Sequence, residues 1–406
     1  MYKALRWVFS FEIPEISAKW RYLMHAYALI VSLFFVSIAN TLSLHFYNVL
    51  TLTGDSGVPT FKYVIELLER LDENIVMKYG LIAWILFFTI YRAYIAFKGY
   101  WQYERNLGKP LDLREMLTIA LMNIINSLAT PTLIFLGFWI ASLNGIDGFN
   151  LLVSLVALAD GWVRAVPTLV SLPGWAAMIC SWFLITFMHY WLHRLAHTRR
   201  ALWLLLHRPH HISEHLTMVT IAPVISSFPV WILLVIPYTF LFGAAVKLFY
   251  PEPLYAEYIV WNLFWMVIQT YSHSAALYEE GVKKPWLVFM SNVNVDGLYH
   301  VLHHSSALDA ERKANNNTVN IGPGVFACWD RLFGTYQPLL PKVPSMGLTG
   351  QPPLVMNPVR LVCAGAMQLV YELYSNRKPL MWWKIMTGPS SWEPPVSKDF
   401  ALHERL

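Results

Sequence analysis

The sequence predicts an all-α fold, that of a polytopic integral membrane protein built from helices. Two observations carry this prediction: apolar residues are in excess, and uncharged stretches recur at the length of a membrane span. Of 406 residues, 56% are hydrophobic and 14% are charged, whereas a soluble domain carries about a quarter charged residues. The 18 Trp and 21 Tyr suit aromatic belts at two membrane interfaces.

The composition also argues against other classes of protein. The net charge of +5 is modest, and the basic residues cluster in loops, so nucleic acid is not an expected partner. Cys180, Cys328 and Cys363 lie far apart in the sequence and suggest neither a disulfide framework nor a thiolate zinc site. The N-terminus carries Glu12 and Glu15 before any long apolar run, which does not fit a cleaved signal peptide.

Membrane spans are expected where about 20 apolar residues follow one another. Basic residues precede the first candidate span and fill the loops after the second and fourth, while the first loop is richer in acid. This alternation places the N-terminus and the segment after the fourth span in the cytoplasm. The six candidate spans are Tyr22–Leu44, Tyr79–Phe97, Met116–Leu143, Gly174–Leu192, Met218–Val235 and Tyr255–Tyr271.

The stretch 218–253 leaves two alternatives open, because Pro223, Pro229 and Pro237 interrupt it. It is either a kinked span or a re-entrant hairpin. In both cases the chain returns to the cytoplasm near residue 272, since the later histidines have to meet the earlier ones.

Three regions follow from this organisation. Residues 1–173 form an N-terminal transmembrane region, residues 174–340 carry most histidines, and residues 341–406 form a C-terminal tail. Within the tail, Pro358–Lys384 has apolar residues at helical spacing. That stretch predicts either an interfacial helix on the membrane or a helix packed on the preceding region.

Histidines are concentrated in one part of the chain: eleven of the fourteen lie between His189 and His304. One pair is spaced i, i+4 and two triplets are spaced i, i+3, i+4, so that side chains within each box share a helical face. A further histidine ends the last apolar span. The nine candidate metal ligands are His193, His197, His207, His210, His211, His273, His300, His303 and His304.

Nine imidazoles exceed what one ion uses and match what two ions need. Imidazole suits iron, zinc, copper and nickel, and a pair of metals either activates dioxygen or clamps a hydrolytic substrate. Two other classes of protein are possible alternatives: a membrane metal-ion transporter or metal-binding protein, and a bis-histidine haem protein. Transport sites lie near the midplane of the membrane, whereas these histidines fall at helix ends, and His-X-X-His-His is poorly suited to haem.

These motifs resemble the fatty acid hydroxylase/sterol desaturase superfamily over roughly residues 180–340. The three histidine boxes occur in the family's order and precede a Trp-Asp-Arg-Leu-Phe-Gly-Thr sequence, while Asn320-Ile-Gly322 stands where the family usually has Asn-Tyr-Gly. The stretch 210–214 and the tail Gly388–Trp392 are similar to alkylglycerol monooxygenase-like and bacterial sterol-desaturase-like members. The motifs are His193–His197, His207–His211, His300–His304 and Trp329–Thr335.

The resemblance implies two Fe ions, for which Zn can substitute on expression, and dioxygen as co-substrate in the hydroxylation or desaturation of a lipid C–H bond. It gives His273 the role of the further histidine ligand that the family has before its last box. No catalytic residue beyond the metal ligands is predicted. The lipid could be a sterol, a fatty-acyl or an ether lipid, in a bacterial inner membrane or the endoplasmic reticulum.

An electron donor must be a separate protein, because the chain has no cysteine motif for an iron–sulfur cluster, no dinucleotide fingerprint and no haem domain. A cytochrome b5-like protein or a ferredoxin with its reductase is the expected partner.

Three residues are predicted to lie around the metals rather than to bind them as the nine histidines do. His189 lies one turn before His193 and either lines a substrate channel or packs. His215 is a candidate to fix a ligand's tautomer. Gln269 stands where some relatives have another histidine and would complete one coordination sphere directly or through a water. The histidines outside the cluster, His25, His45 and His403, are expected to be structural or exposed.

Overall fold

The computed structural model describes residues 11–34, 75–218, 240–294, 297–311, 318–322, 327–348 and 356–398. Within these residues the chain is helical and has no β-strand, only two isolated bridges, so the all-α prediction is confirmed for them. The helices used below are α1 (Arg21–Phe34), α2 (Ile75–Trp101), α3 (Tyr103–Leu107), α4 (Leu113–Leu143), α5 (Gly148–Ala165), α6 (Gly174–Thr198), α7 (Arg200–Leu202), α8 (Arg208–His211), α9 (Tyr255–Ser272), α10 (Ala275–Gly281), α11 (Pro285–Val293), α12 (Leu298–His303), α13 (Ser306–Glu311), α14 (Cys328–Leu332), α15 (Pro358–Ser375) and α16 (Pro379–Thr387).

Four of the six predicted spans lie within long helices, α2, α4, α6 and α9. Of the described helices, α6 is the one long and apolar enough to cross a membrane by length and composition. Its 25 residues extend over about 37 Å, against a hydrocarbon thickness of about 30 Å. That the other helices cross a membrane stays a prediction.

One predicted span falls partly outside the described residues and another almost entirely outside them. The first candidate span continues beyond Phe34, where α1 is last described, and Met218–Val235 lies outside the described part apart from Met218. The choice between a kinked span and a re-entrant hairpin over 218–253 therefore stays open.

Helices α2 and α9 pack together through polar contacts that fix where α9 ends. Arg92 Nε donates to Thr270 Oγ1 at 3.0 Å, and the Arg92 side chain is buried. Beyond the end of α9, Lys98 Nζ pairs with Glu280 at 2.8 Å. These contacts hold His273, which directly follows α9, at the cytoplasmic end predicted for that helix.

The short helix α12 carries apolar side chains on one face and histidines on another. Its apolar residues Leu298, Val301 and Leu302 recur at i, i+3, i+4 and are fully buried in the largest hydrophobic cluster. Because that face packs against α9 to α11, the intervening histidines of α12 are turned away from the cluster. The apolar spacing thus positions the last histidine box.

The C-terminal helix α15 packs on the histidine-bearing region. Gly365 approaches the backbone of Leu204 so closely that a methyl group at this position would overlap the Leu204 carbonyl oxygen. Arg200 and Glu372 form a buried ion pair between the two regions, with Nε 3.2 Å from Oε2. Of the two predicted alternatives for this helix, packing is observed, while its opposite side exposes Tyr374.

Candidate metal centre

The first histidine box lies in the last turns of α6. This helix begins after Pro173 and ends at Thr198, because the backbone of the next residue, Arg199, is extended. His197 is completely buried and His193 is half-buried. The C-terminal segment covers this helix end, since Ser390 Oγ donates to the His197 carbonyl at 2.6 Å.

The second box begins at the last residue of a π-helical turn, Trp203–His207, and continues through α8. Single π turns interrupt the regular helical pattern and are frequent at functional sites. The turn is buried through Trp203 and Leu204 and is covered by α15. His207 ends the turn, and His210 and His211 lie in the last turn of α8.

The nine candidate ligands come together in two groups. In each group, one potential ligand atom per histidine lies within 4.8 Å of all the others. The groups adjoin, because the ring of His211 from one stacks on the ring of His304 from the other with centroids 4.2 Å apart. The five-histidine group contains His193, His197, His207, His211 and His303, and the four-histidine group contains His210, His273, His300 and His304.

Each triplet is divided between the two groups in the same way. The outer pair of each box, at i and i+4, belongs to one group, and the residue at i+3 belongs to the other. Successive residues turn by about 100° around a helix axis, so i+3 and i+4 point about 100° apart. The spacing predicted one shared face per box; the structure shows instead that one box serves both groups.

The distances between facing nitrogens fit metal coordination. His193 Nε2 lies 2.7 Å from His207 Nε2 and 3.1 Å from His197 Nε2, and His304 Nε2 lies 3.2 Å from His300 Nε2. Two nitrogens that are each about 2.1 Å from one metal ion lie about 2.7 to 3.4 Å apart at angles of about 80 to 110°. A pair of packed histidines can also approach this closely through an N–H···N hydrogen bond, but the convergence of five and of four nitrogens within 4.8 Å of one another suits the ligands of a metal ion.

Four of the nine histidines keep a buried nitrogen for which the described residues offer no hydrogen-bond partner: His211 and His304 at Nδ1, and His273 and His303 at Nε2. The Nε2 atoms of His273 and His303 are buried and unsatisfied, which is costly for a polar atom unless another partner is present. Each belongs to a different group, where a metal ion would satisfy it. The donor set therefore fits two metal ions, and both groups consist of imidazoles alone among the described residues.

Burial keeps these imidazoles in the form that binds metals. Removal from water, reinforced by neighbouring histidines, holds the pKa of His207, His211, His300 and His304 well below the usual value of 6.5. Burial lowers the pKa of His303 to about 3. At neutral pH these side chains are uncharged, as metal coordination requires.

Backbone carbonyls orient two members of the five-histidine group. His303 Nδ1 bonds to the Val319 carbonyl at 2.7 Å, and His193 Nδ1 bonds to the Ile321 carbonyl. Since a carbonyl only accepts, each Nδ1 carries the proton and each Nε2 presents its lone pair. Both carbonyls lie in the segment 318–322.

The residues predicted around the metals lie outside the two groups. The His189 ring lies 5.8 Å from that of His193, edge to face. His215 Nδ1 bonds to Glu115 Oε2 at 2.6 Å. Gln269 is half-buried one turn before His273, and its backbone carbonyl accepts from Ser272.

The remaining histidines stand apart from the groups. His25 Nδ1 bonds to the Tyr100 hydroxyl at 2.7 Å, in line with the structural role expected for it. His45 and His403 lie outside the described residues.

Sequence reasoning missed two buried carboxylates near the boxes. Glu115, on α4, binds both Ser213 and His215 and thereby ties the loop after the second box to α4. Asp330, in α14, is completely buried, and burial raises the pKa of its carboxyl group to about 6 although hydrogen bonds from its neighbours act in the opposite direction. The Trp-Asp-Arg motif marked Asp330, but no spacing rule connects it to the histidines.

The fold and the site define a helical protein with two adjacent all-histidine groups, each able to hold a metal ion, at the end of an apolar helix. Residues 178–335 match the model of the fatty acid hydroxylase family, which supports the resemblance of this region to the fatty acid hydroxylase/sterol desaturase superfamily. The resemblance read from the motifs is thereby confirmed. Comparisons with curated proteins and with solved structures give no match.

Proposed function

We propose that this chain is a membrane-bound, non-haem di-iron oxidoreductase that uses dioxygen to hydroxylate or desaturate a C–H bond of a lipid. The observation that carries the proposal is the pair of adjacent histidine groups, with nine converging imidazoles in all. The family match indicates a hydroxylase-type enzyme acting on lipids.

The chain's residues would hold and shield the metals. Iron bound in the two groups would supply the activation of dioxygen needed to attack an unreactive C–H bond. Neutral imidazoles leave the charge of two bound cations uncompensated, which suits a strongly oxidising centre. The buried ring of His197 and the cover of Ser390 at the end of α6 would keep bulk water from that side of the site.

The position of the groups supports a substrate that lies in the membrane. His193 is five residues before the end of α6 at Thr198, which corresponds to about 8 Å along the helix. The metals would therefore lie just inside the cytoplasmic end of a spanning helix, within reach of a carbon atom of an acyl or sterol chain. This location is expected at the inner membrane of a bacterium or at the endoplasmic reticulum.

Two electrons per turnover would come from a separate protein. A cytochrome b5-like protein or a ferredoxin with its reductase is the proposed donor, because the sequence carries no motif for a redox cofactor of its own.

The decisive experiment joins metal analysis with a lipid comparison. The full chain, purified in detergent from iron-replete cells, should contain about two irons. Lipids from cells that express it should include an oxidised species that is labelled when the cells grow under ¹⁸O₂, or an additional double bond. The same cells with His304→Ala should lack the product, since that variant removes a member of the four-histidine group.

His25→Ala is the matched control, because His25 is also a partly buried histidine but bonds to Tyr100 instead of joining a group. It should form product like the unmodified chain. If His304→Ala retains most of the product, or if the purified chain holds one metal, the di-iron proposal is wrong.

A further inference from the structure

The segment 318–322 owes its conformation to Asp330. Asp330 Oδ1 accepts from the Ile321 backbone N–H at 2.8 Å and from Thr335 Oγ1 at 2.6 Å. Its other oxygen, Oδ2, accepts from the Gly322 N–H at 3.2 Å. A buried carboxylate with three donors is well satisfied, and it fixes two successive peptide groups of this segment.

The direction of one peptide group links Asp330 to the histidines. In a trans peptide the N–H points opposite to the preceding carbonyl. The Gly322 N–H points to Asp330, so the Ile321 carbonyl must point away from Asp330, and there it accepts from His193 Nδ1. Asp330 thus sets the direction of the carbonyl that holds the His193 ring.

The neighbouring residue Asn320 extends this control to the second carbonyl. Asn320 has a left-handed backbone (φ 48°), which asparagine tolerates better than most residues. Its N–H donates to the Thr335 carbonyl at 2.8 Å, and its Oδ1 accepts from the Gln337 N–H at 2.8 Å. The adjoining Val319 carbonyl is then placed to accept from His303 Nδ1 at 2.7 Å.

The two histidines that these backbone carbonyls hold belong to the same group. His193 and His303 both belong to the five-histidine group. The two backbone carbonyls of the segment 318–322 that accept from candidate ligands, those of Val319 and Ile321, both reach this group. We propose that Asp330 is a positioning residue that, through the segment 318–322, fixes the ring orientation and tautomer of His193 and His303 and so sets the metal affinity of the five-histidine group alone.

This inference rests on the proposed function in that it requires two metal sites. Partners that orient histidine ligands typically contribute about 10- to 100-fold to metal affinity. Asp330→Asn keeps the size of the side chain but places an amide N–H₂ against either the Gly322 N–H or the Ile321 N–H. One of the two donors then loses its acceptor, and the carbonyl behind it is no longer held.

The test is a titration of metal-free full-length protein in detergent with Co²⁺, whose visible spectrum reports histidine coordination, together with the number of ions bound. The unmodified chain should bind two ions. Asp330→Asn should bind one ion with unchanged affinity and the other about 10- to 100-fold more weakly. Asp160→Asn is the matched control: Asp160 is also buried and hydrogen-bonded, but to Arg164 and Tyr255, so both sites should be unchanged.

Thr335 provides a second route if Asp330→Asn does not fold. Thr335→Val keeps the shape but removes the hydroxyl that donates to Asp330, and it should weaken the same single site, while Thr335→Ser, which keeps the hydroxyl, should restore it. If Asp330→Asn and Thr335→Val bind both ions as tightly as the unmodified chain does, or if both sites weaken to the same extent, the proposed role of Asp330 is overturned. A failure of the unmodified chain to bind two ions would instead overturn the proposed function.

Discussion

The consecutive residues His210 and His211 belong to different metal groups. Their ring centroids are 5.2 Å apart and the rings are perpendicular. His211 joins three ligands from the first two boxes and His303 from the last, whereas His210 joins His273 and two residues of the last box. The assignment of each histidine to a group can therefore be tested with pairs of substitutions that look equivalent in the sequence.

Two double variants should differ in the number of metal ions that they bind. His210→Ala with His304→Ala removes two ligands of the four-histidine group, so the chain should keep about one metal, in the five-histidine group. His210→Ala with His303→Ala removes one ligand from each group, so both metals should bind more weakly. Metal content after equilibrium dialysis, with size exclusion to confirm folding, distinguishes them, and identical behaviour of the two variants would contradict the grouping.

The lowered pKa values of the buried histidines predict how stability depends on pH. In the unfolded chain these side chains take up protons near pH 6.5, while in the folded, metal-free protein they stay neutral. The unfolded state then binds more protons, so the free energy of unfolding is highest above pH 6.5 and falls as the pH drops below it. The expected slope is about 1.4 kcal/mol per pH unit for each such histidine.

Thermal melting of the metal-free protein in detergent across this range measures the effect. The metal-loaded protein is the comparison, because bound metal competes with protons and should keep its stability to lower pH. A melting temperature of the metal-free form that does not change below pH 6.5 would show that these histidines titrate normally.

At this scale the sequence identified the nine histidines that the structure brings together, because helical spacing shows which residues lie near one another. It did not show how the nine histidines divide between the two groups. Residues at i+3 and i+4 point in different directions, and only the folded chain shows which other histidines lie in each direction. It also could not place the Val319 and Ile321 carbonyls, because a backbone acceptor leaves no mark on residue type.

Among the elements, α15 makes a close backbone contact with the histidine-bearing region. Gly365 touches the Leu204 backbone in the π turn that ends at His207. Gly365→Ala should force α15 away from that turn and lower stability by about 1 to 3 kcal/mol, as overpacking does. It should also reduce metal content, because the π turn positions His207.

Gly137→Ala is the control for this substitution. Gly137 also lies within a helix, α4, but has no atom near the place of an added methyl group. Alanine is the better helix former by about 1 kcal/mol, so this variant should melt at an equal or higher temperature. Equal melting temperatures for Gly365→Ala and the unmodified chain would show that α15 does not depend on the close contact.

The sequence predicted where the helices lie more readily than which parts of the protein they pack against. Apolar stretches placed α2, α4, α6 and α9, since helix formation follows from local pattern. For α15 the same pattern allowed a position on the membrane or on the protein. The choice depended on Glu372, which pairs with Arg200 from a region far away in sequence, and such a pairing has no local signature.

For the whole molecule, the orientation of α6 gives a topology prediction. Ser171 precedes α6, and Ser391 lies beside its other end; both are exposed. In a background without the three native cysteines, Ser171→Cys and Ser391→Cys should react with an impermeant maleimide from opposite sides of membrane vesicles, Ser391→Cys from the cytoplasmic side. Labelling of both from one side would contradict the crossing.

The contacts at residues 388–392 have a consequence for how the protein matures in the cell. Arg200 N–H donates to the Gly388 carbonyl, Ser390 N–H donates to the Thr198 carbonyl, and the Arg200 guanidinium donates to the Trp392 carbonyl. The surroundings of the first histidine box are therefore incomplete until nearly two hundred later residues have been translated. The metals of the proposed centre would therefore be loaded only after residue 392 has left the ribosome, and nascent chains or products that end before it would be unable to generate a reactive oxidant.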